Sequence, residues 1–174
     1  MTRDFVLMNR TIVTCIALAI GLCAAFAGGS YAQTMPAIEM KSLDGKTVNW
    51  PRELPAERTA VILAYERDQQ ADVEAWVQEL GLPSDGPYAQ VLVLGRGASL
   101  ARSFIDGGLR SAFDDATEAR TFTLYVRPET LNGPLGIATT QAVTVLLVDR
   151  SGRIIMRHEG APTAAAVAAL RSAL

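Results

Sequence analysis

Short apolar segments that alternate with helix-like segments constrain the fold of this chain more than any other feature. The segments at 59–65 and 90–94 are typical of strands buried on both faces of a sheet, because they are too short for helices and rich in β-forming residues. Further strands are predicted at 121–126, 142–148 and 153–157. Two helical stripes separate the first three strands; they comprise Val73, Trp76, Val77 and Leu80, and then Leu100, Phe104, Ile105 and Leu109. This alternation predicts a layered α/β sheet.

Turn signals define both ends of the predicted sheet. Segments 37–41 and 47–50 flank Asp44-Gly45, a strong hairpin signal, so an N-terminal β-hairpin is predicted. The last two strands are joined by the tight turn 149–152 and must therefore be antiparallel. An alanine-rich helix is predicted at 164–174, whereas 129–136 is either irregular or a short helix.

The first 32 residues have the pattern of a secretory signal peptide. A basic start is followed by the apolar run 12–27 and by small residues at Ser30 and Ala32. We expect cleavage after Ala32, which makes 33–174 one domain of an exported, periplasmic protein. An uncleaved membrane anchor is the alternative, and lipidation at Cys23 is a minor one.

Both cysteines, Cys15 and Cys23, lie in this leader. The domain that follows has no thiolate nucleophile and no means of forming a disulfide. Thiol oxidoreductase, disulfide isomerase and cysteine peroxidase activities each need such a group, so the sequence of 33–174 excludes them. Its stability must come from packing.

The charge of the chain is balanced. The whole sequence has 16 Lys and Arg residues against 18 Asp and Glu; without Arg3, Arg10 and Asp4 the remainder has 14 against 17. No basic cluster is present, so nucleic-acid binding is not expected. Membrane contact is expected only if the leader is retained.

The C-terminal stretch carries a family resemblance. In residues 142–160 a predicted strand is followed by Asp-Arg-Ser-Gly-Arg-Ile, a second predicted strand and a Gly, after which the final helix begins. Residues 43–48 have the sequence Leu-Asp-Gly-Lys-Thr-Val. Both resemble the exported branch of the thioredoxin-like superfamily, over about 36–174. The resemblance implies a three-layer sandwich with a mixed central sheet and an N-terminal hairpin. Within it, the chain is similar to two cysteine-free branches, the YtfJ-type periplasmic proteins and the mitochondrial ATP-synthase assembly-factor family.

The chain departs from the redox members of that superfamily at both halves of their active site. Their Cys-x-x-Cys follows the strand that matches 61–65, and here the nearest alignment places Gln70 and Val73 at the cysteine positions. Their cis-proline precedes the fourth strand, where this chain has Val143. A cis bond before a non-proline residue costs about 3 kcal/mol, so we expect a trans bond there.

The loop after the first buried strand is nevertheless the candidate site. Ligands bind at the carboxyl ends of strands in open α/β sheets, and free N–H groups at a helix start favour anions. The residues proposed for ligand or partner binding are Arg67, Asp68, Gln69 and Gln70, together with the facing Thr140 and Gln141. The simpler interpretation is a solvated loop in which Asp68 caps the helix.

Other candidate sites have simpler explanations. His158 is the only histidine and is expected to be exposed, so no metal site is predicted. The acidic residues Asp114, Asp115 and Glu118 are expected in a solvated loop. Trp50 and Trp76 are expected in core or hairpin packing, whereas an exposed Trp50 would mark a partner surface. No catalytic residue and no cofactor is predicted.

These observations lead to three functional hypotheses. The first is a non-catalytic, exported thioredoxin-fold protein that binds another envelope protein as an assembly or chaperone-like factor. The second is small-ligand binding or atypical catalysis at the 66–70 loop, which needs a concave pocket with convergent polar groups. The third is a vestigial redox protein whose thiol is supplied by a partner.

Overall fold

Seven strands form one mixed sheet in the computed structural model, which describes residues 33–174. The predicted signal peptide and its cleavage point lie outside the described residues. The strands are β1 (Ile38–Ser42), β2 (Thr47–Trp50), β3 (Arg58–Ala64), β4 (Tyr88–Val93), β5 (Thr121–Leu124), β6 (Thr144–Asp149) and β7 (Ile154–Glu159). Their order across the sheet is β2-β1-β5-β4-β3-β6-β7.

Five helices connect or follow these strands. They are α1 (Gln70–Leu80), α2 (Arg102–Arg110), α3 (Asp115–Arg120), α4 (Pro128–Leu135) and α5 (Ala164–Ala173). The 3₁₀ turns Arg67–Gln69 and Arg96–Ala101 precede α1 and α2. α1 ends at Gly81, whose left-handed conformation (φ 63°) favours glycine.

The strand directions confirm the predicted mixed sheet and its N-terminal hairpin. β3, β4 and β5 are parallel, because helical connections return the chain to the same edge. β6 pairs antiparallel with β3, and β7 with β6 across the predicted turn. β1 pairs antiparallel with both β2 and β5. The carboxyl ends of β3, β4 and β5 therefore meet the amino end of β6 at one edge.

Side chains alternate between the two faces of the sheet and build two core layers. Val61, Leu63 and Leu146 face one layer, which includes Trp50 and the apolar side of α4. The other layer combines β-strand residues with the helices α1 and α5; it includes Ile62, Val145, Leu147, Val73, Trp76, Leu80, Val167 and Leu170. Both tryptophans are buried as predicted, and both layers consist of residues within 33–174.

Two helical segments differ from the prediction. The acidic residues expected in a solvated loop instead begin α3, because Asp114 caps it by accepting a hydrogen bond from the backbone N–H of Thr117 at 2.7 Å. Most of the second predicted stripe lies in α2, with Leu100 in the preceding 3₁₀ turn, yet none of the residues of α2 is buried. Segment 129–136, for which two alternatives were open, forms most of α4.

Within residues 33–174 the structure has no helix of the length and apolarity that a bilayer crossing needs.

Candidate functional site

Gln69 joins the two loops that the sequence placed opposite each other. Its side chain is 5% exposed, because the 3₁₀ turn Arg67–Gln69 directs it inward. Its Oε1 accepts a hydrogen bond from the Tyr65 N–H at 2.8 Å, and its Nε2 donates to the Thr140 carbonyl at 2.7 Å. The amide thereby links the end of β3 to the segment before β6, using both its donor and acceptor sides.

The other residues of the predicted loop do not converge with Gln69. Arg67 and Asp68 are exposed, and Gln70 donates to the Glu74 carboxylate at 3.0 Å on the surface of α1. The prediction that Asp68 caps the helix is wrong. The residue before α1 is Gln69, and no side chain caps α1 at its start.

Thr140 and Gln141 lie on the facing segment, as predicted, but only the main chain of Thr140 contacts Gln69. The Gln141 N–H donates to the Thr139 Oγ1 at 3.1 Å, and the Gln141 side chain is exposed. Of the predicted site residues, Gln69 thus forms a buried bridge between the two loops, and the side chains around it lie at the surface.

The residues aligned with the redox positions form part of the core. Val73 is 1% exposed and Val143 is fully buried. The cis peptide bond within residues 33–174 is Trp50–Pro51, so the bond before Val143 is trans, as expected. Neither half of a redox site is therefore present at these positions.

Tyr65 and Asn132 form a polar pair that sequence reasoning missed. The Tyr65 hydroxyl donates to the Asn132 Oδ1 at 2.7 Å, and Asn132 is 6% exposed on α4. Burial raises the pKa of Tyr65 to about 12, so the hydroxyl stays protonated and donates at neutral pH. Since the two residues are 67 positions apart, no local pattern relates them.

An open groove of about 450 Å³ lies beside this pair, between α4 and the segment 137–141. Its lining mixes polar and apolar groups and includes Glu129, Asn132, Gly133, Ile137 and Thr139. Oδ1 of Asn132 is used by Tyr65, whereas its Nδ2 donates to no group among residues 33–174. Asn132 thus offers this groove a donor from a side chain that is almost wholly buried.

The main chain of 138–140 adds further free groups to the groove. Within the described residues, the N–H groups of Ala138, Thr139 and Thr140 form no hydrogen bond. The segment is irregular rather than part of a strand. Its unpaired N–H groups and the Asn132 amide are hydrogen-bond donors without a partner among residues 33–174.

His158 is not exposed as predicted. Its ring packs edge-on against Trp76, with ring centroids 5.2 Å apart, and its Nε2 lies 3.2 Å from the Ala161 carbonyl. This half-buried position arises because the His158 side chain lies on the face of the sheet that packs against α1. Among residues 33–174, no group of three or more His, Cys, Asp or Glu side chains is arranged to hold a metal ion.

Solved structures show that this is the thioredoxin-like fold. The exposed lipoprotein thioredoxin Etrx1 of Streptococcus pneumoniae matches with 15% identity and a TM-score of 0.54, over 80% of this chain and 100% of that chain. BsSco, a member of the Sco family of cytochrome c oxidase assembly proteins, matches with 12% identity and a TM-score of 0.56, over 82% and 94%.

The thioredoxin domain of a thiol-disulfide oxidoreductase from Bacteroides vulgatus matches with 11% identity and a TM-score of 0.51, over 81% of this chain and 95% of that chain. No protein-family model matches the chain, and no curated protein matches it in sequence. At these identities the likeness shows the fold alone. The predicted fold is confirmed, and the narrower resemblance to two cysteine-free branches stays a prediction.

Proposed function

We propose that residues 33–174 form a non-catalytic, exported thioredoxin-fold module that binds another protein of the cell envelope. The groove between α4 and 137–141 holds an extended segment of that partner, and the module acts as an assembly or chaperone-like factor. A signal peptide cleaved near Ala32 delivers it to the periplasm. Retention of that segment as an anchor is the alternative.

The position of Gln69 carries this proposal. It lies one residue before Gln70, which aligns with the first cysteine of the redox members, and its amide holds the two facing loops together. An amide has no nucleophilic or redox chemistry at neutral pH. An amide that makes two hydrogen bonds does, however, fix the positions of the two loops that it joins. The loops are thus kept in place for binding rather than for reaction.

The chemistry of the groove supports an extended peptide as the ligand. Peptides that add to an exposed main chain gain affinity from backbone hydrogen bonds and specificity from neighbouring pockets. The free N–H groups of 138–140 supply the backbone hydrogen bonds. The Asn132 amide and the apolar Ile137 supply the specificity. The Glu129 carboxylate at the rim favours a segment that carries a basic residue.

The similarity to BsSco supports an assembly role by analogy, because that protein belongs to a family of assembly proteins with the same fold. The resemblance of 142–160 to YtfJ-type proteins and to the ATP-synthase assembly factors belongs to the same proposal.

Small-ligand binding or atypical catalysis is the second candidate, favoured by the Asn132 donor and the Glu129 carboxylate in one groove. Small-molecule sites usually enclose most of the ligand's surface. This groove is open along its length, which favours a peptide. The third hypothesis is a thiol supplied by a partner. Residues 33–174 contain no cysteine with which such a thiol could form a disulfide.

Site-specific photo-crosslinking tests the proposal. A photoreactive residue at Ala138, in the groove, is compared with one at Ser84, in the connection between α1 and β4 at the opposite edge. We expect an envelope protein to crosslink from Ala138 and not from Ser84. Equal products from both positions would show non-specific contact and contradict the proposal.

A matched pair at Gly133 sharpens the test. A Cβ added at Gly133 meets no atom within 4 Å, and Gly133 lines the groove. We therefore expect Gly133→Arg to fill the groove and Gly133→Ala to leave it open. We expect Gly133→Arg to reduce the crosslink about tenfold and Gly133→Ala to preserve it. If native mass spectrometry instead finds a small molecule that only Gly133→Arg removes, the second candidate function holds.

A further inference from the structure

Leu100 and Phe104 are the large apolar side chains that remain exposed among residues 33–174. Leu100 is 96% exposed and Phe104 is 85% exposed. They lie four residues apart, across the junction of the 3₁₀ turn Arg96–Ala101 and α2. Neither the groove nor the small core cavity includes them, so they protrude rather than line a depression.

Polar contacts attach α2 to the sheet. The Arg102 guanidinium lies over the Tyr125 ring, 4.4 Å from its centroid. The Asp106 carboxylate accepts from the Tyr125 hydroxyl at 2.8 Å and from the Thr123 hydroxyl at 3.2 Å. At the end of α2, Arg110 Nε donates to the Leu43 carbonyl. The apolar side chains are therefore not needed to attach the helix.

The segment 95–113 is basic although the chain as a whole is acidic. It contains Arg96, Arg102 and Arg110 against the single Asp106, whereas the whole chain has a net charge of −2. All three arginines are exposed, and Asp106 is turned toward Tyr125. The next carboxylates, Asp114 and Asp115, begin α3, and Asp114 is occupied by its capping bond.

From these observations we infer that the segment 95–113 binds an anionic lipid surface. Leu100 and Phe104 insert into the interface, and Arg96, which takes no part in attaching α2, meets the lipid phosphates, while Arg102 and Arg110 add to the positive charge of the segment. Short helices with protruding apolar side chains beside basic ones bind membranes in this way, and their affinity combines apolar burial with attraction to anionic lipids. The net positive charge of the segment complements the negative charge of an anionic lipid surface. This contact is independent of residues 1–32 and of the groove.

Vesicle sedimentation with residues 33–174 tests this inference, because that fragment contains both core layers and excludes the leader. Circular dichroism first checks that the fragment and each variant are folded. The vesicles contain phosphatidylethanolamine and phosphatidylglycerol in equal amounts, or phosphatidylcholine alone. We expect binding to the first and at least about tenfold weaker binding to the second.

Variants identify the surface. The double variant Leu100→Ser with Phe104→Ser is expected to lose vesicle binding about tenfold or more, since the inserted area is removed. Arg96→Gln is expected to weaken binding about fivefold. Arg52→Gln, an exposed arginine outside the segment, serves as the matched control and is expected to have no effect.

Three results would overturn the inference. They are an absence of binding to the anionic vesicles, equal binding by the double variant, and equal binding to both vesicle types. Sedimentation equilibrium provides the remaining test: a dimer that Phe104→Ser dissociates would assign this surface to a second copy of the chain.

Discussion

Helices α1 and α2 have similar sequence patterns but lie in opposite environments. Each follows a buried strand through a 3₁₀ turn and carries apolar residues at helical spacing. In α1 the stripe is buried, with Val73, Trp76 and Leu80 each 2% exposed or less. In α2 no residue is buried, and Phe104 points outward.

The difference lies in what each helix meets. α1 packs with α5 on one face of the sheet, where small and β-branched residues leave room for Trp76. α2 instead meets the polar side chains Thr123 and Tyr125, which alternate along the chain with Phe122 and Leu124 of the Trp50 layer and hydrogen-bond Asp106, so no apolar surface covers its stripe. An amphipathic pattern therefore predicts a helix, but not that its apolar side is covered by the same chain.

The largest expected effect is at the centre of the α1 interface. Trp76→Ala removes a fully buried ring and the hydrogen bond from its Nε1 to the Gly160 carbonyl, 2.9 Å long. We expect a loss of about 3–5 kcal/mol in the free energy of unfolding, measured by urea denaturation. A loss below about 1 kcal/mol would mean that α1 is no better anchored than α2.

The next largest effect is expected at Gln69, and its neighbour Gln70 provides the comparison. Gln69→Ala leaves the Tyr65 N–H and the Thr140 carbonyl without their partner, and we expect a loss of about 2 kcal/mol and faster hydrogen exchange at the Tyr65 amide. Gln70→Ala, which removes only an exposed bond to Glu74, is the control and should cost less than about 0.5 kcal/mol. Equal effects of the two variants would contradict the bridging role.

The two tyrosines provide a pH test of both regions. Burial raises the pKa of Tyr65 and of Tyr125 from 10.0 to about 12, and the Asp106 carboxylate adds to the shift at Tyr125. A tyrosine whose pKa is higher in the folded chain than in the unfolded chain stabilises the fold. This contribution is fully present below the unfolded-state pKa and is lost as the pH rises through the folded-state pKa. Stability should therefore fall between pH 10 and about 12.

Tyr65→Phe and Tyr125→Phe should each reduce that alkaline decrease, measured by urea denaturation across the same pH range. Absorbance titration of the phenolates provides a direct check of the two pKa values. An unchanged decrease in both variants would show that neither hydroxyl is held in its protonated form by the fold.

The smallest expected effect is at the outer side of α2. Phe104→Ser removes no packing within residues 33–174, because the ring is 85% exposed. We expect a change of less than about 0.5 kcal/mol in the free energy of unfolding. A loss of about 2 kcal/mol or more would mean that Phe104 packs against the domain in solution.

Much of the fold could be predicted because its signals are local. The hairpin about Asp44-Gly45, the buried strand β3 and the stripe of α1 each lie within a few residues of sequence, where period and turn chemistry are directly visible. The absence of cysteine from 33–174 was equally visible, and with it the exclusion of thiol chemistry.

The candidate site stays a prediction, and the sequence indicated only part of its geometry. Gln69 and Thr140 do lie together, but the sequence treated four loop residues as equivalent. Only Gln69 turns inward, because a 3₁₀ turn rather than an Asp68 cap starts the helix. The groove depends on Asn132 and Tyr65, which come from segments far apart in the chain.

The sequence by itself determined the alternation of strands and helices, the antiparallel final hairpin and the lack of a thiol in 33–174, since each is set by local periodicity, turn residues or composition. The tertiary structure alone decided which polar side chain became a buried bridge, which groups were left free to line a groove and which apolar stripe stayed exposed. The physical reason is that burial and hydrogen-bond satisfaction are properties of neighbours brought together from distant segments. No single stretch of sequence contains both partners of such a contact.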